Sequence, residues 1–285
     1  MKLLLLLLAF AACSRDGGLA SGVRAVRETA RRYENEAEAS PSKRAPEMLA
    51  LYERLPAGRL TPAALAELSD SELDGVYAAV SAAAYYSESA APAKAQAAAV
   101  AELERRGRQS VERTRELYDS LVAARLWDEA RALASAHRAL PAPPEVRGTA
   151  KAGRRVYVMG RGGKTAILRS VEWGKGPRVV MLTSPFCSRS KAAEADIKGD
   201  AALRKAFDAH ALRLGAPKLL AEPSALPERA NVAYSRADWP GLELGVTPVF
   251  YFYRDGELKD AVVGWPSAER KADLRAGLRK IGAAP

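Results

Sequence analysis

The hydrophobic pattern of this 285-residue chain changes its period at the proline-rich run Pro141-Ala142-Pro143-Pro144. Before the run, apolar residues recur every three to four positions, as they do along the buried face of a helix. After it they alternate, as in strands, for example over residues 155–159. Proline ends both kinds of element, so the run indicates a linker. The sequence therefore predicts a helical domain at 46–140, a linker at 141–148 and an α/β domain at 149–285.

Helix starts are visible within the first of these segments. Thr61 precedes Pro62, and proline is favoured at the first position of a helix. Ser69 stands ahead of Leu73 and a further apolar stripe, where a serine caps the free backbone N–H groups of a helix. Alanine-rich stretches at 93–101 favour helix over strand. We expect these helices to pack as a separate all-α domain.

The N-terminus has the pattern of an export signal. Lys2 is followed by an apolar run over residues 3–12, which is shorter than the roughly 20 residues that span a bilayer. A signal peptide at 1–12 is therefore predicted. The sequence Phe10-Ala11-Ala12-Cys13 resembles a bacterial lipobox, and this resemblance implies that Cys13 carries lipid and becomes the first mature residue. The alternative is an ordinary secretory signal with an unrelated cysteine nearby.

The lipobox resemblance also implies a location. It predicts a lipoprotein of the bacterial envelope that faces the periplasm, and Ser14 after the cysteine favours the outer membrane. The membrane is then a partner through the N-terminal lipid. Residues 13–45, rich in glycine, serine and charges, are predicted to be a tether as a whole, with a frayed helix as the alternative for part of it.

The net charge of +10 is unevenly distributed. Residues 1–150 hold 20 basic and 20 acidic side chains, whereas residues 151–285 hold 24 basic and 14 acidic ones. A basic surface favours anionic partners, and the alternative is a solvated surface without a partner. The sequence has no nucleic-acid-binding motif, and we expect no nucleic-acid partner. His137 and His210 are isolated, so we expect neither a metal nor a cofactor.

A cysteine lies in the turn between a buried strand and a helix. The apolar run at 178–183 leads to Cys187, and a helical pattern begins near Lys191. A cysteine at a helix N-terminus faces free N–H groups and the positive end of the helix dipole, which stabilise the thiolate. The positive charge of Arg189 adds to this effect. Further along, Thr247-Pro248 precedes a strand, a position where proline is rare and a cis-proline is a deliberate feature.

These two elements together resemble the thioredoxin fold, in particular the periplasmic disulfide-interchange group. The resemblance covers residues 178–285 and implies an α/β domain with a central sheet flanked by helices. It implies that Cys187 is the nucleophile and that Thr247 and Pro248 pack against its sulfur and hold the substrate backbone. Phe186, beside the cysteine, and Trp239, ahead of the proline, are further candidates for substrate contact.

The chain departs from this family at the second thiol. The family's Cys-x-x-Cys is here Cys187-Ser188-Arg189-Ser190, so a hydroxyl replaces the resolving thiol. Exchange should then stop at a mixed disulfide unless an outside thiol resolves it. Ser190 is expected to donate a hydrogen bond to the Cys187 thiolate. The buried carboxylate of many thioredoxins is also missing, because residues 179–182 are all apolar.

Three functions stay open at this point. The first is single-thiol disulfide exchange or chaperone-like binding of a periplasmic protein that carries a thiol or a disulfide. The second is a non-catalytic interaction module on a thioredoxin frame, since a fold does not imply a function. The third is a peroxiredoxin-like peroxidase, because Ser184-Pro185-Phe186-Cys187 resembles the peroxidatic Thr-x-x-Cys. The threonine–proline pair argues against the third. Whether the chain is an enzyme is left undecided.

Overall fold

The computed structural model describes the backbone of residues 2–35 and 41–283, and the side chains of residues 18–35 and 43–283. The chain divides into two compact units, Met1–Ala142 and Pro143–Pro285. The division falls within the proline-rich run, where the period of the sequence changes.

The described residues of the first unit form seven α-helices. The starts of two of them follow from local chemistry: the Thr61 hydroxyl accepts a hydrogen bond from the Ala64 N–H, and Ser69 and Glu72 form a reciprocal capping box. Both small and large apolar side chains are buried between the helices. The bounds are α1 (Lys2–Asn35), α2 (Pro41–Glu53), α3 (Pro62–Ala66), α4 (Asp70–Ser87), α5 (Ala90–Arg105), α6 (Val111–Ala123) and α7 (Trp127–Ala136).

Helix α1 corrects the expectation of a flexible tether at 13–45. From Gly18 to Asn35 it is a helix with one buried face, packed against α2 and α4. The physical reason is a stripe of apolar residues at helical spacing, which the surrounding charges obscure in the sequence. The buried residues of the stripe are Leu19, Val23, Val26, Ala30 and Tyr33.

Two other sequence predictions fall partly outside what the structure describes. Residues 36–40 of the predicted tether are not described, and neither is the side chain of Cys13, the predicted lipid carrier. Among the described residues, no helix combines the length and the apolar character needed to cross a bilayer.

The second unit is a mixed sheet of eight strands flanked by helices, which confirms the predicted arrangement of a central sheet with helices around it. The strand order is β1-β3-β2-β6-β5-β4-β7-β8. Strand β4 lies inside the sheet, parallel to β5 and antiparallel to β7. The strands are β1 (Glu145–Arg147), β2 (Arg155–Met159), β3 (Thr165–Ser170), β4 (Pro177–Leu182), β5 (Ala211–Gly215), β6 (Asn231–Ala233), β7 (Val249–Arg254) and β8 (Glu257–Val263).

Three helices cover one face of this sheet: α8 (Ser188–Lys198), α9 (Ala201–Asp208) and α10 (Arg270–Lys280). Their apolar residues pack with those of β4, β7 and β8 in one core. Helix α10 approaches the sheet closely at Gly277, where a Cβ atom would lie 2.4 Å from the Phe252 ring. The opposite face carries a second core, covered by the coil that contains Trp239.

Two hairpins follow the sequence pattern, and one strand does not. Strands β2 and β3 pair antiparallel, and β7 and β8 are joined by Asp255 and Gly256, both with positive φ. Asp-Gly favours this tight turn because glycine has no Cβ to clash there. The linker expected at 141–148 instead contains β1, which pairs in parallel with β3. The signal was hidden because β1 has three residues, too few to show alternation.

Candidate functional site

Cys187 is positioned by a rigid strand and a helix start. The β4 residues before it are buried on both faces of the sheet, as the apolar run requires. The chain then turns, and Cys187 is the N-cap residue of α8, with extended backbone angles. A residue in this position lies beside the N–H groups of the first helical turn, which have no partner within the helix.

The sulfur of Cys187 lies against the residue that precedes β7. Its Sγ atom is 3.3 Å from the carbonyl oxygen of Thr247, to which the thiol donates a hydrogen bond. The antiparallel register that pairs Leu182 with Val249 brings these two segments together at the end of the sheet. The Thr247–Pro248 peptide bond is cis, and Pro248 is buried.

The surroundings of Cys187 lower the pKa of its thiol. Burial of the sulfur raises the pKa, but hydrogen bonds to the thiolate outweigh it. These come from the side chains of Thr247 and Ser190 and from the backbone N–H groups of Ser190 and Arg189. The Thr247 carbonyl favours the protonated thiol, so the lowering of the pKa is due to the donors. The result is a thiol that ionises more readily than an ordinary cysteine.

The Ser190 hydroxyl is a buried group that lacks a partner while Cys187 is protonated. Ser190 is 1% exposed, and its Oγ atom makes no hydrogen bond within the described part of the chain. An unpaired buried hydroxyl costs about 1–3 kcal/mol. Ionisation of Cys187 turns the sulfur into an acceptor for this hydroxyl, so the cost is relieved only in the thiolate form.

Replacing Ser190 with alanine should therefore have two separate effects, one on the pKa of the Cys187 thiol and one on the stability of the folded protein. We expect Ser190→Ala to raise the pKa of Cys187 toward its ordinary value, because one thiolate donor is lost. At a pH where the thiol is protonated, the variant should be more stable by about 1 kcal/mol. This gain should shrink as the pH rises through the folded-state pKa, since a lowered pKa stabilises the folded protein above it. Alkylation rate against pH and thermal unfolding at two pH values measure the two effects.

The control for this variant is Ser188→Ala, at an exposed position in the same turn. It should change neither the alkylation profile nor the unfolding temperature. An alkylation profile that is the same in Ser190→Ala and in the wild type would rule out the hydroxyl as a donor to the thiolate.

The other predicted site residues differ in their placement. Arg189 is exposed, and its guanidinium has no hydrogen bond or ion pair within the described ranges; its backbone N–H is among the donors that lower the pKa of the Cys187 thiol. Phe186 is 59% exposed beside the cysteine. Trp239 differs from the expectation of a substrate contact: it is 1% exposed, and its Nε1 donates to the Arg155 carbonyl at 3.1 Å. Its large apolar surface is used to cover the sheet.

Asp196, which helps to hold α8 in place, could not be recognised from the sequence. The Asp196 carboxylate on α8 accepts a hydrogen bond of 2.8 Å from Trp265 Nε1, which joins α8 to the segment between β8 and α10. The two residues are far apart in the sequence, and an aspartate on a helix is ordinarily solvated. Within the described residues there is no cluster of side chains suited to hold a metal ion.

Comparison with known proteins adds little to this geometry. No protein-family model matches the chain, and no curated protein matches it. A solved structure of a thioredoxin-like protein from Bacteroides caccae is similar at 10% identity over 79% of each chain, with a TM-score of 0.27. A score this low carries no argument about fold or function.

Proposed function

We propose that this chain is an envelope-tethered lipoprotein whose thioredoxin-like second unit binds partner proteins through single-thiol disulfide exchange. The observation that carries the proposal is the position of Cys187, at the start of α8 and 3.3 Å from the Thr247 carbonyl. A lowered thiol pKa in a partly exposed position is the setting of a reactive cysteine rather than of a buried structural one.

The order of elements around the cysteine supports the thioredoxin-like assignment. Strand β4, helices α8 and α9 and the parallel strand β5 are followed, after the short strand β6, by the antiparallel strands β7 and β8 and by helix α10 on the same face as α8. This is the β–α–β and β–β–α order of the fold named by the sequence resemblance. The envelope location and the lipid rest on residues 1–14 of the sequence.

The exchange proceeds in two balanced steps. The Cys187 thiolate attacks one sulfur of a partner's disulfide; that bond breaks, a mixed disulfide forms and the partner's other sulfur leaves as a thiolate. Ser190 has no sulfur to attack this intermediate, so the link persists. A second thiolate, from an outside thiol or from the partner itself, then attacks the partner's sulfur, and Cys187 leaves as a thiolate. The chain thus holds its partner covalently until another thiol arrives.

A defined probe tests this proposal. A short peptide that carries its cysteine as a mixed disulfide with thionitrobenzoate releases a coloured thiolate when attacked. We expect one equivalent of colour per protein at about pH 6, where an ordinary cysteine is almost wholly protonated. The protein should then remain linked to the peptide until glutathione is added. Mass spectrometry of the product identifies the link at Cys187.

The control is Cys187→Ala, which should release no colour. A wild-type thiol that reacts only at alkaline pH would leave a non-catalytic interaction module in place of exchange. Faster reaction with hydrogen peroxide than with the peptide disulfide would favour the peroxidase alternative.

A further inference from the structure

A groove lies on the helical face of the second unit, beside α8. The register pairs Val179 with Ala211 and Met181 with Arg213, so these β5 residues face the same side of the sheet as the core under α8. Gly215 follows at the same alternation. Ala211 is small, and the Leu219 side chain lies over Gly215, 2.7 Å from where a Cβ atom would stand, so it forms part of the wall above β5. A cavity of about 710 Å³ lies between α8 and residues 216–230.

The groove has an apolar lining at its base. Leu219, Leu226 and Val232 contribute to it, and each is less than a tenth exposed. Its volume lies within the range of roughly 300–1,000 Å³ that ligand sites have. The end nearest the thiol is formed by Ser184 and Pro185, which precede Cys187 by two or three residues. The buried, unpaired Ser190 hydroxyl also lines this end.

The rim of the groove carries positive charges that make no ion pair with the part of the chain that the structure describes. Lys191 and Lys198 stand two turns apart on α8, about 10 Å along its axis, and Arg229 stands on the opposite wall. All three are exposed, and none makes an ion pair or a side-chain hydrogen bond in the described ranges.

The acidic residues of the groove do not balance these cations. Glu194 is already paired with Arg213 at 2.7 Å, so its charge is neutralised within the lining. Glu228 is the other carboxylate that lines the groove. Three free cations therefore face one free carboxylate, and the groove attracts anions.

We propose that this groove binds an extended acidic segment of a polypeptide, with apolar side chains on its base and carboxylates at its rim. A small anion would reach one of the cations, whereas their separation along α8 matches several acidic residues in an extended chain. The inference rests on the proposed function in one respect: the segment belongs to the protein that Cys187 captures. The groove then supplies the selectivity that a lone thiol lacks.

The test uses the full chain and a peptide without cysteine. The probe is a heptapeptide of alternating glutamate and leucine with a neutral fluorophore, and binding is measured by fluorescence anisotropy. We expect saturable binding that weakens as salt is added, because the contacts are exposed charges. The same peptide with glutamine in place of glutamate should bind at least about tenfold more weakly, since it loses the attraction of the rim. Equal binding of both peptides would overturn the proposal.

Two double variants with the same change in net charge localise the site. Lys198→Glu with Arg229→Glu should weaken binding by about tenfold or more. Lys151→Glu with Lys175→Glu, at exposed positions outside the groove, should leave binding unchanged. If charge reversal disturbs folding, Lys198→Gln with Arg229→Gln should still weaken binding, by about threefold. Equal effects of the groove pair and the control pair would overturn the site.

A third variant separates this inference from the proposed function. Cys187→Ser should bind the peptide as well as the wild type does, because the probe has no thiol. An unreactive Cys187 with intact peptide binding would contradict the exchange proposal and leave the groove standing. A reactive Cys187 without peptide binding would contradict the groove proposal and leave the exchange proposal standing.

Discussion

If the proposed single-thiol exchange is right, replacing Ser190 with cysteine is expected to give a protein that reduces disulfides repeatedly instead of stopping at a mixed disulfide. Residues 187 and 190 are neighbours at the start of α8, and the Ser190 hydroxyl is one of the donors that lower the pKa of the Cys187 thiol. A thiolate at position 190 would attack Cys187, form an internal disulfide and release the bound substrate as a thiol. A reductant such as dithiothreitol would then restore both thiols.

The measurement is insulin reduction with limiting dithiothreitol, compared between wild type and Ser190→Cys. We expect the wild type to stay at the background rate and the variant to turn over many equivalents. The activity should remain modest, because β4 has no buried carboxylate to move protons to and from the second thiol. Ser188→Cys is the matched control, since it adds the same thiol at an exposed position in the same turn. Equal activity of the two cysteine variants would contradict the role given to position 190.

Placing an aspartate at position 26 is expected to destabilise the first unit strongly. Val26 is fully buried in the face of α1 that packs against α2 and α4. A carboxylate there has no partner and loses its hydration, which costs about 3 kcal/mol or more. That loss is a large share of the roughly 5–15 kcal/mol by which a domain is stable.

Chemical denaturation followed by far-ultraviolet circular dichroism measures this effect. Ser21→Asp adds the same charge to the same helix at an exposed position and should change the unfolding free energy by less than about 0.5 kcal/mol. If residues 13–45 were a flexible tether, the two variants would unfold alike. The comparison therefore decides between the helix and the tether.

Features set by neighbouring residues were predictable from the sequence. The cap at Ser69, the start at Pro62 and the Asp-Gly hairpin each depend on chemistry within four residues, and the structure has all three. The same is true of the strand, turn and helix around Cys187. Such elements can be predicted from the sequence because the residues that determine them are close together in the chain.

Features set by distant residues were not predictable. Helix α1 was missed because its apolar stripe is interrupted by arginines and glutamates, and only packing against α4 distinguishes it from a solvated segment. Trp239 is close to Pro248 in the sequence, but its ring is buried in the second core of the sheet. In the site, the Ser190 hydroxyl is buried without a hydrogen-bond partner because of how α8 packs on the sheet, and no sequence pattern encodes that packing.

The continuity of α1 sets the distance between Cys13 and the packed part of the first unit. A flexible segment as long as residues 13–45 would have an average end-to-end distance of about 30 Å, so the folded units could lie that far from the point of attachment. In a continuous helix, Cys13 stands six residues before Leu19, the first buried residue of the stripe, a rise of about 9 Å. With a lipid on Cys13, the first unit would stand almost on the bilayer surface. Such a protein would meet only those partners that come to the membrane.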